Sequence, residues 1–189
     1  MTDTCKYTDL AKFKIEKDFR WRSPFIVQLW WLVQSLLIHP SPQFMYAWRR
    51  FLWTLFGAEI GENVLIRPSA RVTYPWKVKI GHNSWIGDRA ELYSLGPIII
   101  GDNAVISQDC YLCAASHDYK KIDFPLVQKT ILIKDEAWIA AGAFIAPGVT
   151  IGNGAIIGAR SVVLNDVMDA EICAGNPAKT IKNRQPSEG

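Results

Sequence analysis

Two passages of the chain decide its fold: IGHNSWIGDRAEL at residues 80–92 and IGDNAVISQDCYL at residues 100–112. Laid one on the other, they match at the aliphatic residues 80/100, 86/106 and 92/112, and at the slim residues Ser84/Ala104 and Ala90/Cys110. The period is six. The same beat opens at Ile60, Ile66 and Val72 and resumes at Ile133, Ile139 and Ile145, then at Ile151, Ile157 and Val163. Four residues after most of these aliphatics stands a small side chain: Val64, Ala70, Ser84, Ala90, Ala104, Cys110, Ala137, Ala143, Ala155 and Ser161. A helix requires spacings of three and four, and a plain strand requires sustained alternation, so neither accounts for six. A solenoid of short strands and tight turns does, with aliphatic and slim residues both aimed inward.

Grouping the aliphatics in threes gives five triangular coils and explains the breaks in the beat. From Val72 to Ile80 and from Leu92 to Ile100 the step is eight, and from Leu112 to Ile133 it is 21. All three insertions follow the third member of a triplet, so they leave the same edge of the prism. Insertions gathered on one side of a repeat scaffold mark its binding side.

Outward from this ladder the chain changes character. Residues 1–59 carry 8 Lys/Arg against 5 Asp/Glu and five of the eight tryptophans, whereas residues 60–189 carry 13 of each charge. A neutral body argues against a dedicated nucleic-acid binder, which shows a basic stripe on its folded domain. Four cysteines (Cys5, Cys110, Cys113, Cys173) do not make a disulfide framework. The first twenty residues do not read as a secretory signal, and the expected location is the cytoplasm. The apolar run FIVQLWWLVQSLLI at 25–38 is too short and too polar to cross a bilayer. Ser23-Pro24 reads as a helix start, Ser41-Pro42 as a second start and Gly57 as a stop, so a helical hairpin is expected to cap the first coil. Its apolar stripes suit packing on the body; its Trp and Arg content also suits a membrane surface, making the protein cytoplasmic or membrane-peripheral. The expected organisation is a helical region at 1–59, a β-helix at 60–168 with an extended loop at 113–132, and a C-terminal segment at 169–189.

Of three histidines, His39 lies at a helix end, where capping or solvation is expected, and His82 on a coil corner. His117 opens the long insertion. Histidine takes up a proton near neutral pH, and a loop on a rigid scaffold is where catalytic groups concentrate. Cys110 occupies a slim inward position and reads as core rather than nucleophile. Cys110-x-x-Cys113 has no second pair to complete a zinc site. Ser116, His117 and Asp118 are adjacent and so form no triad, whose members converge from different segments.

The motifs IGDNAVIS (100–107), SHDY (116–119), AWIAAGAFIAPGVTIGNGAIIGARSVV (137–163) and AGNPAK (174–179) resemble the hexapeptide-repeat acyltransferases over about residues 57–183. Within them the chain is most similar to the galactoside and maltose acetyltransferase branch. The head-to-body junction RRFLWTLFGAEIG (49–61) is similar to the colanic-acid (exopolysaccharide) biosynthesis acetyltransferases. The resemblance implies an all-β, left-handed parallel β-helix assembled as a homotrimer with sites between subunits. It implies acetyl-CoA as acyl donor, a saccharide or lipid-linked sugar as acceptor, and O-acetylation in surface polysaccharide biosynthesis. His117 matches the family's catalytic base, which takes the acceptor hydroxyl's proton and returns it to the departing CoA thiolate. Backbone N–H groups around Ala140 to Gly142 would face the oxyanion. Trp138, Ala141, Gly142 and Ala159 match the CoA groove. Asn165 stands where the family often has a Lys, which puts that phosphate contact in doubt. Lys179 and Lys182 match basic positions that reach the 3′-phosphate. Tyr93, Ser94 and Leu95 would line the acceptor site, with Asp118 shaping the loop and Asp109 an alternative orienter of His117. No metal is expected. A γ-class carbonic anhydrase shares the prism but requires three histidines on a zinc. A non-enzymatic solenoid would lack the long loop.

Overall fold

The computed structural model describes residues 6–185, so Cys5 and the last four residues of the C-terminal segment lie outside the described residues. From Glu59 onward the chain winds into a three-faced prism of parallel strands. The first face stacks Glu59–Ile60, Val78–Ile80, Ile98–Ile100, Ile131–Ile133 and Thr150–Ile151. The second stacks Leu65–Ile66, Trp85–Ile86, Val105–Ile106, Trp138–Ile139, Ile156–Ile157 and Glu171–Gly175, and the third Arg71–Val72, Glu91–Tyr93, Tyr111–Cys113, Phe144–Ile145 and Val162–Val163. The register is the six-residue ladder itself: Ile66, Ile86, Ile106, Ile139 and Ile157 pair in sequence up the second face. All ten slim residues are fully buried, because they sit where the corners turn and no larger side chain fits inside.

The corners repeat one device. The corner between the first and second faces places Asn63, Asn83 and Asn103 at φ of 55°, 57° and 54°, and Gly154 at the equivalent place has φ 64°. Left-handed backbone at that point suits asparagine and glycine. Side chains then link coils: the Asp102 carboxylate accepts the His82 N–H (2.7 Å), and Asp135 accepts that of Asp102 (2.8 Å).

The five expected coils are present, and a partial sixth follows them. Val167 bridges Ile151, and Cys173 pairs with Ile157, so the inward ladder runs past Val163. Sequence periodicity stopped at Val163 because the next step is four residues rather than six, after which the beat resumes at Cys173. The chain then reverses, and Ala178–Asn183 pairs antiparallel with Glu171–Gly175, covering the upper edge of the second face.

The lower edge is covered by the helices. The first runs Pro24–Val33 with Ser23 as its N-cap, and continues as a wider π-type turn at Gln34–Ile38. The second runs Tyr46–Leu55. Ser41-Pro42 does not start it. Instead that turn is held by Arg49, which donates to the Ser41 hydroxyl (2.9 Å) and the Pro42 carbonyl (2.8 Å). The stop at Gly57, φ +99°, is where the sequence puts it. The helices satisfy the open backbone of the first coil through side chains. Arg49 Nε donates to Ile66 O (2.6 Å), Arg50 to Val64 O (2.9 Å) and Trp30 Nε1 to Val72 O (3.0 Å), while the Gln34 amide oxygen accepts the Val72 N–H (3.0 Å). His39 caps the π-type turn through its own N–H to Gln34 O (3.0 Å), but it is half-buried rather than solvated, and burial pushes its pKa down.

Candidate active site

All three insertions leave the edge between the third and first faces, as the spacing predicts. The first forms the short 3-10 turn Pro75–Lys77, the second the bend at 94–97, and the third a hairpin in which Ala115–His117 pairs antiparallel with Leu126–Gln128. His117 is half-buried at the head of this hairpin. Its Nδ1 lies 2.7 Å from the Phe124 carbonyl oxygen, and the Phe124 ring stacks on the imidazole at 4.3 Å with 9° between planes. Phe124 has φ +48°, a left-handed conformation uncommon for an aromatic residue. With a carbonyl as its partner, Nδ1 carries the hydrogen, which leaves the Nε2 lone pair as the acceptor.

Neither aspartate orients the ring. Asp109 sits on the edge between the second and third faces, where Arg89 binds it through both carboxylate oxygens (2.7 and 2.8 Å) and holds its pKa down. Asp118 accepts the Lys120 N–H (3.1 Å) and donates its own N–H to Pro125 O (3.0 Å), so it shapes the hairpin turn.

Sequence reasoning missed a segment that packs on this hairpin. The arm at 6–22 runs back along the same edge: Asp9 N–H donates to Ile122 O (2.7 Å), and the Phe13 ring lies 5.9 Å from the His117 ring. Lys77 anchors the arm. Almost fully buried, it donates to Phe19 O (2.6 Å) and Leu95 O (2.5 Å), reaches the Gln128 amide oxygen (3.4 Å) and sits among the rings of Phe19, Trp21 and Tyr74. Burial pulls its pKa down to about 8. Nothing in the residues flanking Lys77 signals this, because its partners are 18 to 58 positions away.

The acceptor-side expectation is corrected in part. Tyr93 does lie one coil below the loop, paired with Cys113 and stacked on Tyr111 at 5.8 Å. Ser94 faces inward instead. It is fully buried, accepting the Tyr74 N–H (2.8 Å) and donating to Tyr74 O (3.0 Å), so its hydroxyl has no spare donor and is closed off from a ligand. Leu95 is buried too, with its carbonyl engaged by Lys77. Cys110 is core, as expected: fully buried, its Sγ donates to Ala140 O (3.1 Å), and burial raises its pKa to about 11.

The residues matched to the CoA groove lie elsewhere on the same chain. Trp138 stands on the outer surface of the second face, its indole donating to the Ser107 hydroxyl (3.0 Å). It lines a groove of about 720 Å³ together with Tyr46, Arg67, Trp85 and Gln108. Ala141, Gly142 and Ala159 form the edge between the second and third faces, and Asn165 is exposed on the loop-bearing edge. Of the amides expected to face an oxyanion, two are already engaged: Ala140 N–H donates to Ile157 O (2.9 Å) and Gly142 N–H to Gln108 O (2.9 Å). Among the described residues Ala141 N–H has no backbone acceptor. Lys179 and Lys182 are three apart, which strict alternation would send to opposite faces. A bulge at Ile181 intervenes, so Lys179 pairs with Ala174 and Lys182 with Ile172, and both stand on the outer surface of the second face. His82 lies on the first corner, exposed, and among the described residues no trio of His, Cys, Asp or Glu is placed to share a metal ion.

Comparison with known proteins agrees with this architecture. Residues 130–165 match the bacterial transferase hexapeptide (six repeats) family, and residues 77–114 the hexapeptide repeat of succinyl-transferase. The chain is 48% identical over 180 residues to the protein of Escherichia coli (strain K12) named as the colanic acid biosynthesis acetyltransferase WcaF, covering 95% of this chain and 99% of that one. It is 29% identical over 128 residues to the galactoside O-acetyltransferase of the same organism, covering 66% of this chain and 63% of that one. A hexapeptide-repeat containing acetyltransferase from Vibrio cholerae has the same fold, with a TM-score of 0.80 at 24% identity over 94% of this chain and 98% of that one. Its complex with acetyl coenzyme A gives 0.77 at 25%, covering 86% and 88%. A prism of six-residue rungs, with its single long loop carrying an oriented histidine, thus belongs to the hexapeptide-repeat acetyltransferases, and this protein is an enzyme of that family.

Proposed function

We propose that the protein transfers an acetyl group from acetyl-CoA to a hydroxyl of a saccharide, soluble or lipid-linked, in the biosynthesis of surface or exopolysaccharide. The observation that carries the chemistry is the hydrogen bond between His117 Nδ1 and the Phe124 carbonyl (2.7 Å), which leaves Nε2 free to act as a base. The thioester is already activated, so the enzyme's task is proton transfer and positioning. The acceptor hydroxyl gives its proton to Nε2 as its oxygen attacks the thioester carbonyl. Collapse of the tetrahedral intermediate breaks the carbon–sulfur bond, and the CoA sulfur leaves with the proton from Nε2. The saccharide comes from the kinship with the WcaF and galactoside enzymes, and acetyl-CoA from the ligand of the Vibrio cholerae structure.

The working unit is a homotrimer. Within one chain His117 and the trio Ala141, Gly142 and Ala159 occupy different edges of the prism, so a second copy would bring such an edge beside the loop. There the free Ala141 N–H would face the oxyanion, and Lys179 and Lys182 would meet the CoA phosphates. The 1–59 region closes one end of the scaffold and the 169–189 segment supplies the basic contacts. We place the enzyme in the cytoplasm. Incubation with labelled acetyl-CoA and a panel of sugars, nucleotide sugars and lipid-linked sugars tests the reading. An acetyl ester on at least one saccharide is expected, and label appearing only on amines would overturn it.

A further inference from the structure

The helical cap has two apolar sides, and only one is used by the fold. Val27, Trp30 and Ile38 face the prism and are buried. On the opposite side of the first helix and its π-type extension, Phe25, Leu29, Leu32 and Leu36 follow one another at steps of four, three and four, 75%, 39%, 55% and 61% exposed. Leu37 and Phe44 widen this stripe, and Phe51 and Leu55 add one turn-spaced pair from the second helix. The Trp48 indole donates to Leu37 O (3.0 Å) and stacks on Phe51, which joins the two helices' exposed sides into one patch. A contiguous apolar surface of this extent marks an interaction site.

The charge pattern says what covers it. From Ser23 to Trp48 there is no Lys, Arg, Asp or Glu, while Arg20, Trp21 and Arg22 stand immediately before, with the Arg22 guanidinium near Gly57 at the end of the second helix. Arg22 and Trp21 are exposed at the boundary. An apolar helix side with a basic, Trp-bearing margin is complementary to an anionic lipid interface. No described helix is long and apolar enough to span a bilayer, which fits a helix that lies on one.

We infer that the outer side of the helices at 24–38 and 46–55 is a docking surface for an anionic phospholipid membrane. The prism then stands end-on to the membrane with its first coil lowest. The loop bearing His117 leaves the third coil, two strand spacings or about 10 Å higher. Resting on the proposed acetyl transfer, this favours sugar acceptors held at a membrane surface over free ones.

Co-sedimentation with vesicles tests the docking without any acetyl transfer, so it stands or falls independently of the enzymatic reading. The full chain is mixed with phosphatidylcholine vesicles, with and without phosphatidylglycerol, and compared with Leu32→Glu/Leu36→Glu. Wild type is expected to pellet with the anionic vesicles and to be released by salt. The double variant should bind at least about tenfold more weakly while keeping its assembly state and its turnover of a soluble acceptor. The inference is overturned if wild type stays in the supernatant with both vesicles, if the variant binds equally well, or if the variant falls to a smaller assembly in analytical ultracentrifugation. That last result would make the patch a contact between copies.

Discussion

Replacing His117 in two ways separates its chemistry from its place in the fold. His117→Asn keeps an N–H where Nδ1 donates to the Phe124 carbonyl (2.7 Å), but has no lone pair in the place of Nε2. Both variants lose the 4.3 Å stack on Phe124 and the ring contact with Phe13, and His117→Ala loses the hydrogen bond as well. A positioned general base contributes about 10²–10⁴ in rate, roughly 3–5 kcal/mol in the barrier. Because a carbonyl and an aromatic ring fix this imidazole together, little reorganisation is left to the reaction, and we expect the upper half of that range for both variants. Stability should divide them. Both lose the ring pairs, but only His117→Ala loses the hydrogen bond, worth about 1 kcal/mol, which for a chain of this size puts its melting temperature about 2–4 °C below that of His117→Asn. Turnover is read by thiol trapping of released CoA at saturating acetyl-CoA and acceptor, and acetyl-CoA affinity by calorimetry, which should move less than about threefold in either variant. Either variant keeping more than about a tenth of wild-type turnover would refute the base assignment. An active Asn beside an inactive Ala would show that His117 serves only to hold the hairpin.

Three further perturbations address the ends of the scaffold and the loop edge. Arg49→Ala removes four hydrogen bonds from a fully buried guanidinium, leaving Ile66 O and Gln43 O unpartnered, so a loss of about 3–5 kcal/mol is expected in urea unfolding. A loss under about 1 kcal/mol would mean the cap does not hold the first coil. Lys179→Ala should weaken acetyl-CoA more than dephospho-acetyl-CoA, and equal weakening of both would remove the phosphate contact. For Lys77, burial sets the folded pKa at about 8 against 10.5 for the ordinary amine. The folded chain therefore holds fewer protons than the unfolded one between these values, and stability rises with pH across that window. Relative to Lys77→Met, wild type should gain roughly 2 kcal/mol between pH 7 and pH 10 in urea midpoints, and a flat difference would refute the burial argument.

What could be read from the sequence was whatever the backbone period dictates. The inward rungs, the slim corner residues and the shared edge of the three insertions are each set within a dozen residues, so each leaves a repeated local mark. That mark placed His117 on the insertion-bearing edge, where the structure has it. It failed where the outcome depends on stacking between coils. Ser94 reads as a polar residue on a functional edge, yet a neighbouring coil offers it both the N–H and the carbonyl of Tyr74, 20 positions away, and it turns inward to take them. The coil beyond Val163 was hidden by a two-residue shortening that breaks the beat without breaking the prism.

The arm is the limiting case. Gln128 donates to Phe19 O across 109 positions, and Lys77 reaches the same carbonyl across 58. No period relates these residues, because the arm contributes no rung and repeats nothing. It follows the loop edge because the first and third insertions present donors there: the Trp76 indole to Arg20 O, and Lys77 and Gln128 to Phe19 O. The features that single out one site among five similar coils are thus the ones that break the repeat: a long hairpin, a buried lysine, and an arm folded back against both. In a hexapeptide solenoid the period reveals the scaffold, and departures from the period mark where the chemistry is held.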